Sequence, residues 1–570
     1  MQDRDPQNLN FYWSTRFVRS LYRNGVQRVV ISPGSRSTPL TLAFAAHPGF
    51  DKTIAIDERS AAFTALGMSK ADHNPTCLVC TSGTAVANYY PAVIEAAQSG
   101  IPLIVLSADR PPYLRGIGAS QTIDQLKIFG DYPVFFHEVG EPRDDDQSLN
   151  RLELAALQAV RKSLKAPGVS HLNFPFPKPF EPDVDFLNTA EKDNERQAKK
   201  NYASPITAQP KTKLTPDFWL NISEAEQPVI IAGPEIPKKI IPSILDLAKQ
   251  LNAPILAEPG CNIPSSKYTI TGFDGFLRNS EITDALYPDL ILRFGRDPVS
   301  KALQNYLKNY ADVQQTRFHT LDTINDESLS ADSHFYVNHG FEVSDIELNA
   351  NKAWIRDWRR HQKEYYAAKE RVMFPTSPLT DGYTFHILSE LIDTKTFTML
   401  SNSFPVRDMA LFGNYEGKEM YVNRGTAGID GIMSTTFGLA EVLNKPGVCF
   451  IGDIAFLHDS NALLLLQKVK TPLIIVLLNN GGGTIFKMLP ISNYKKRYSE
   501  YFETPQQVSI AALCRAHKID HTLISRPEQL IPSFEAYIER PGVHIFECMT
   551  DAEDSMELRR QLWNYTPDSE

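Results

Sequence analysis

Residues 447–483, GVCFIGDIAFLHDSNALLLLQKVKTPLIIVLLNNGGG, decide the fold. Two apolar runs, VCFIG and TPLIIVLL, have the density of strands covered on both faces, as in parallel sheets. The stretch between them reads as a helix, with Asp459 or Ser460 as its N-cap. A strand–helix–strand unit sets its strands parallel, so both C-terminal ends open on one edge. Open α/β sheets keep their ligand crevices on that edge. The first strand stops at Gly452-Asp453 and the second at Asn479-Asn480, followed by Gly481, Gly482 and Gly483. A buried carboxylate is costly unless it meets a cation. Asp453, the amide oxygen of Asn480 and a backbone carbonyl of the glycine turn, that of Gly482, are hard oxygen ligands. They suit Mg²⁺, with Mn²⁺ as the alternative, and such an ion keeps its remaining positions for water and phosphate oxygens.

Strand-like runs alternate with helical patterns along nearly the whole chain, which predicts an α/β protein of three domains, each a mainly parallel sheet flanked by helices. Residues 1–182 hold VQRVVISPGS, TCLVCTSG, IPLIVLSADR and GVSHLNFPF. Residues 183–214 are polar, proline-bearing and of mixed charge, and read as a linker. Residues 215–350 hold QPVIIAGPE, NAPILAEPG and PDLILRFGR as a middle domain, and a charged helical linker spans 351–380. The third domain, 381–570, holds TFTMLSNS, EMYVNRG, GVCFIGD, TPLIIVLLNN and GVHIFECMT.

With 570 residues, 42% of them hydrophobic and 22% charged, the chain can bury several cores. A net charge of -9 gives no reason to expect nucleic acid as a partner. The polar start, MQDRDPQNLN, lacks the apolar core of a signal peptide. No stretch reaches the roughly 20 apolar residues that span a bilayer. The expectation is a soluble, cytoplasmic protein. Cys77 and Cys80 form a C-x-x-C pair, but they lie inside a strand pattern and read as small buried hydrophobes. His517 and His521 are spaced i,i+4 without the glutamate that a zinc-protease helix requires. The G-x-G-x-x-G of a nicotinamide dehydrogenase is missing between a first strand and helix.

Gly452-Asp453 followed by Asn479-Asn480 resembles the diphosphate-binding motif of thiamine-diphosphate enzymes, with Ile454 where glycine is usual. IAIDERSAAFTALGMSKA sets Glu58 at the start of an alanine-rich helix. CTSGTAVANYYPAVIEA, with Ser82 and Gly83, is similar to the strand–glycine–helix cofactor region of that family. Three further stretches narrow the resemblance: ISPGSRSTPLTLAFAAHP, SADRPPYLRGIGASQTIDQ and VNRGTAGIDGIMSTTFGLA. Together with SNSFPVRDMALF and NNGGGTIFKMLP they resemble the 2-succinyl-5-enolpyruvyl-6-hydroxy-3-cyclohexene-1-carboxylate synthases of menaquinone biosynthesis, in which an apolar residue after G-D is ordinary.

The resemblance implies decarboxylation of 2-oxoglutarate on thiamine diphosphate and addition of the resulting succinyl carbanion equivalent to isochorismate. It implies that Glu58 is the catalytic residue, hydrogen-bonded to the aminopyrimidine of the cofactor. Ile429 is implied as an apolar wedge under the cofactor, and Ile485 and Phe486 as lining beside the diphosphate, with Ser82, Gly83, Gly452, Asp453 and Asn480 also at the cofactor. Both substrates are dicarboxylates, and planar guanidinium groups offer carboxylates two parallel hydrogen bonds. Arg36, Arg110, Lys301, Arg407 and Arg424 are the implied carboxylate binders, and Ser35, Ser120, Gln121 and Ser403 the neutral ones. Ala302 follows Lys301 where the family can place a second basic residue. A homodimer or homotetramer with sites at the subunit interface is implied as well. The competing expectations are an acetolactate-synthase-like enzyme, which the preferred 2-oxoacid discriminates, and a non-catalytic cofactor-binding homologue, which turnover excludes.

Overall fold

Apolar strands and amphipathic helices resolve into three six-stranded sheets in which every recorded pairing is parallel. The computed structural model describes residues 6–198, 210–344, 351–375 and 378–567. The first sheet contains β1 (Arg28–Ile31), β2 (Asp51–Ile54), β3 (Thr76–Cys80), β4 (Leu103–Asp109), β5 (Phe135–Glu138) and β6 (Val169–Pro175), in the order β2-β1-β3-β4-β6-β5. A two-stranded pair, β7 (Thr212–Lys213) with β14 (Phe341–Glu342), brackets the second sheet. That sheet holds β8 (Pro228–Ala232), β9 (Ile255–Ala257), β10 (Thr269–Ile270), β11 (Leu290–Phe294), β12 (Gln314–His319) and β13 (Ser333–Tyr336), in the order β10-β9-β8-β11-β12-β13. The third contains β15 (Phe397–Leu400), β16 (Met420–Val422), β17 (Gly447–Gly452), β18 (Pro472–Asn479), β19 (Asp520–Ile524) and β20 (Gly542–Met549), in the order β16-β15-β17-β18-β20-β19.

The first and third sheets therefore share one strand order, reversing between β1 and β3 and between β15 and β17. The middle sheet has the order of doubly wound dinucleotide-binding folds, reversing between β8 and β11. Central strands such as β3, β8 and β11 are buried along their length, as two-sided cover by helices requires.

The chain divides into two compact units: 1–208 with 430–444 and 459–468, and 209–429 with 445–458 and 469–570. In the first, the helix Glu58–Asp72 crosses the helix Ile432–Leu443 at close range. A Cβ on Gly67 would lie 2.1 Å from the Thr435 carbonyl oxygen, and one on Gly438 would lie 2.1 Å from that of Thr64. Only glycine permits this backbone approach.

Two local expectations need correction. A helix already begins at Asp453 (Asp453–His458), and a second helical stretch, the 3-10 turn Ser460–Ala462 running into the helix Leu463–Leu466, starts after Asp459, which stands at its N-cap position without a capping hydrogen bond to it. Buried Asp459 instead accepts Ser434 N at 2.8 Å and Ser434 Oγ at 3.0 Å, capping the helix Ile432–Leu443, whose preceding residue is a glycine without a side chain. Within the stretch expected as a linker, Val184–Ala198 is helical. Phe186, Leu187 and Ala190 pack on the N-terminal core, and Asn194 Nδ2 donates to Ala46 O at 2.9 Å. Their i,i+4 spacing gives that polar segment one face to bury. Residues 199–209 of the same stretch lie outside the described residues. All six cysteines are free and buried. His521 pairs with Glu547 at 2.8 Å, while His517 ends the helix Ile510–Ala516.

Candidate functional site

The carboxyl ends of β15, β17 and β18 gather the C-terminal candidates. Asp453, directly after β17, is 9% exposed. Its Oδ1 accepts Ile454 N and its Oδ2 accepts Gly482 N, both at 2.7 Å. Burial, reinforced by the Asp381 carboxylate, pushes Asp453 up to about 6 against the pull of those N–H donors. Such a group gains from a cation. Asn480, just past β18, donates Nδ2 to Asp381 Oδ2 at 3.1 Å, which leaves its carbonyl oxygen to accept or ligate. Gly482 has φ +124, and a Cβ there would lie 2.1 Å from Glu503 O. The turn can thus fold back so that its N–H reaches Asp453, while the Gly482 carbonyl accepts Thr484 N at 2.7 Å and retains one lone pair. Among the described residues no group of three or more His, Cys, Asp or Glu gathers around a metal position. The oxygens able to hold one here come from Asp453, Asn480 and the glycine turn. Ile485 and Phe486, half-buried, follow in a 3-10 turn, with Phe486 edge-on to Phe502.

Asp381 is a residue that the sequence did not single out. It accepts Thr550 Oγ1 at 2.6 Å and Arg559 Nη2 at 2.7 Å in addition to Asn480. Arg559 also donates Nε to Asp408 Oδ1 at 2.8 Å and stacks 3.7 Å from the Phe404 ring centroid. Burial raises Asp408 to about 6 even beside this guanidinium. A buried acid–arginine–acid cluster thus braces Asn480 from behind. No motif marks it, because its members are scattered between 381 and 559.

After β15, Ser403 takes φ 72 and precedes the helix Phe404–Phe412. A non-glycine residue in that region is strained, and such strain concentrates at functional sites. Arg407 Nη1 donates to Ser403 O at 2.6 Å, and Arg424 Nη1 to Asn402 Oδ1 at 2.9 Å. Asn402 in turn donates to Asn423 O and Gly428 O, fixing the loop that carries Arg424 and half-buried Ile429. Burial lowers Arg407, and Arg424 lowers it further. Two guanidiniums that repel each other beside a strand edge favour an anion between them. Lys301 opens the helix Lys301–Asn309 at the edge of the middle sheet, exposed, with Nζ 3.3 Å from Gln304 Oε1.

The N-terminal candidates cluster at the matching edge of the first sheet. Ser35 and Arg36 follow β1, Glu58 follows β2, Ser82 and Gly83 follow β3, and Arg110 follows β4. Arg36 Nη1 donates to Phe176 O at 2.6 Å, and its guanidinium lies 4.5 Å from the Phe180 ring centroid. Burial, then Arg110, lowers Arg36 to about 10. Arg110 donates to Ser82 Oγ. Gln121 holds φ 55 and donates Nε2 to Ser82 O at 2.9 Å, and Ser120, exposed, accepts Thr122 Oγ1 through its carbonyl. Glu58 is the first residue of its helix, capped by Asp57, whose Oδ1 accepts Ser60 N at 2.9 Å. Burial raises the Glu58 carboxyl, and Asp57 adds to the rise. The sequence did not reveal buried Gln125, whose Oε1 accepts Gly83 N at 2.9 Å and whose Nε2 donates to Asn173 Oδ1 at 3.0 Å. It ties the glycine loop to β6.

Comparison with known proteins gives the family of the chain. Residues 13–128 match the family described as thiamine pyrophosphate enzyme, N-terminal TPP binding domain, and residues 408–548 match its C-terminal TPP binding domain. The chain is 38% identical over 561 residues to 2-succinyl-5-enolpyruvyl-6-hydroxy-3-cyclohexene-1-carboxylate synthase of Microcystis aeruginosa, covering 96% of this chain and 97% of the relative. The proteins of the same description from Geobacillus kaustophilus and Oceanobacillus iheyensis are 36% and 34% identical, each covering 96–97% of both chains.

Proposed function

The chain belongs to the 2-succinyl-5-enolpyruvyl-6-hydroxy-3-cyclohexene-1-carboxylate synthases, thiamine-diphosphate-dependent enzymes of menaquinone biosynthesis, and from that premise we propose substrates and roles for its site residues. The substrates are 2-oxoglutarate and isochorismate. Thiamine diphosphate, when bound, supplies the carbon nucleophile and the electron sink for loss of CO2. The observation that carries the substrate reading is the Arg407–Arg424 pair, two partly buried guanidiniums at the point where the third sheet reverses. A dicarboxylate there removes the repulsion between them and gains bidentate hydrogen bonds. Arg36 and Arg110 repeat the arrangement at the edge of the first sheet. Arg36, Arg110, Lys301, Arg407 and Arg424 bind substrate carboxylates, and Ser35, Ser120, Gln121 and Ser403 orient the remaining oxygens.

Glu58 holds the aminopyrimidine, and its carboxyl, raised by burial, suits proton exchange with a ring nitrogen. Asp453, Asn480 and the Gly482 carbonyl hold Mg²⁺ or Mn²⁺, with the buried, cation-seeking Asp453 as support for this reading. Ser82, Gly83, Ile429, Gly452, Ile485 and Phe486 shape the cofactor's surroundings. Residues 1–182 form the aminopyrimidine-binding domain, 215–350 the middle domain and 381–570 the diphosphate-binding domain. The working form is a homodimer or homotetramer, as the family resemblance implies, and it acts in the cytoplasm. No helix among the described residues is long and apolar enough to cross a membrane.

The test incubates the protein with thiamine diphosphate, Mg²⁺ and 2-oxoglutarate, with and without isochorismate, following CO2 and product mass. A succinyl adduct of isochorismate supports the reading. CO2 released from pyruvate in preference to 2-oxoglutarate would replace it with an acetolactate-synthase-like activity.

A further inference from the structure

Glu258, one residue beyond β9, is 1% exposed, yet no role in the reaction has been given to it. Its Oε2 accepts Val299 N and its Oε1 accepts Ser300 N, each at 2.8 Å. Those two residues immediately precede the helix Lys301–Asn309. Ser300 accepts Leu303 N at 3.2 Å as the helix N-cap and donates the same hydroxyl to Asp274 Oδ1. Asp274 is itself 6% exposed and held by Arg278 Nη2 at 3.1 Å. A helix start needs one capping side chain, commonly its own serine. Here two further carboxylates from other elements are buried to hold two successive residues, Val299 and Ser300. Burying a carboxylate is expensive, and burial raises Glu258 to about 7 despite two N–H donors.

The geometry has a direction. Exposed Lys301 is the first residue after the clamp, and among the described residues its side chain bonds only Gln304, at 3.3 Å. Its location is therefore set by the backbone that Glu258 and Ser300 hold. The turn Phe273–Phe276, which carries Asp274, packs both on the Lys301 helix and on the helix Phe404–Phe412 that carries Arg407. The field of Glu258 and Asp274 acts on Arg407, and that of Arg424 acts on Glu258. The same two carboxylates thus offset the repulsion between the arginines and locate the lysine.

We propose that Glu258 and Asp274 are positioning residues that register Lys301 of the middle sheet with the Arg407–Arg424 pair. The middle sheet then supplies one cation for a dicarboxylate substrate. The substrate part of this inference rests on the function proposed above; the clamp itself does not.

The test combines amide hydrogen exchange on the substrate-free protein with steady-state kinetics. In Glu258→Gln one N–H loses its acceptor, because the amide turns its own NH₂ toward it. Exchange at 299–303 is expected to quicken by about tenfold, with the rest of the chain within about twofold. KM for one of the two substrates is expected to rise by about tenfold, with kcat, cofactor affinity and the other KM within about twofold. Lys301→Ala should raise the same KM, and the double variant should be no worse than Lys301→Ala alone. Ser300→Ala, which cuts the link to Asp274 but leaves Glu258 intact, should move that KM in the same direction. Unchanged exchange at 299–303, additive KM effects, or equal losses for cofactor and both substrates would overturn the proposal. If the wild-type protein consumed neither substrate, the functional reading would fall, while exchange at 299–303 would still decide the clamp.

Discussion

Replacing Asp381 tests the bracing of the proposed metal ligands most directly. In Asp381→Ala, Asn480 Nδ2 loses its acceptor at 3.1 Å and Thr550 loses one at 2.6 Å. Arg559 keeps Asp408, so the buried cluster goes from one cation and two carboxylates to a matched pair. The fold should survive with a loss of about 1–3 kcal/mol, the cost of donors left without a charged partner. The effect on the metal has two parts of the same sign. The Asn480 amide is no longer held with its oxygen free, and the Asp381 charge no longer adds to the negative field at Asp453. Together these amount to about 1–3 kcal/mol, or a roughly five- to hundredfold rise in the Mg²⁺ concentration needed to retain cofactor. Asp381→Asn should fall between wild type and alanine, because an amide oxygen can still serve Asn480 while the Thr550 hydroxyl turns to accept. Mg²⁺ titrations at fixed thiamine diphosphate, read by quenching of tryptophan fluorescence, give the order, and urea unfolding gives the stability. Asp381→Ala with the wild-type Mg²⁺ requirement would refute the bracing role.

Glu58→Gln should bind cofactor normally in the same fluorescence assay but lose about 100-fold or more in turnover, since an amide cannot exchange the proton; near-normal turnover would remove Glu58 from catalysis. Arg407→Ala should raise the KM for a dicarboxylate substrate by about tenfold or more and leave cofactor affinity unchanged; equal losses in both would place Arg407 at the cofactor. Buried His171, lowered to about 3 by burial, stays neutral in the fold, whereas the unfolded chain protonates near its ordinary 6.5. Its contribution is fully present above about 6.5 and is lost as pH falls from there towards 3. Urea midpoints between pH 7 and 4 should therefore fall more steeply in wild type than in His171→Gln, and equal slopes would contradict the assignment.

The sequence made the α/β class legible because covered parallel strands are written as dense apolar runs such as 448–451 and 473–478, each ending at a chemically distinct pair. What it did not make legible were contacts between distant segments. Asp459 stood where a local helix start was expected, yet it serves Ser434 on another helix, since a glycine there cannot cap its own. Val184–Ala198 has the composition of a linker, and its few apolar residues gain weight only through the core face they meet. Gln125, Asp381 and Glu258 carry no motif because each acts on other groups of the protein rather than on a ligand.

The shared order of the first and third sheets was equally hidden, and it explains why the candidate residues fall where they do. Strand order survives any substitution that keeps apolar residues inside, so two copies of one topology need share no detectable residue pattern. Both sheets reverse direction beside their third strand, and a reversal leaves a crevice that no crossover helix covers. At β1/β3 that crevice receives Ser35, Arg36, Ser82 and Gly83; at β15/β17 it receives Ser403, Arg407 and Asp453. In each case the segment after the first strand brings an arginine, Arg36 in a loop and Arg407 on the helix Phe404–Phe412, and a glycine N–H is held by a buried side-chain acceptor, Gly83 N by Gln125 or Gly482 N by Asp453. The chemistry differs only in the acceptor. The Gln125 amide that serves Gly83 is neutral, whereas the Asp453 carboxylate that serves Gly482 brings a charge that a cation can answer. On the proposed function, that difference in charge favours the metal at the third sheet and leaves the first for groups recognised by hydrogen bonds.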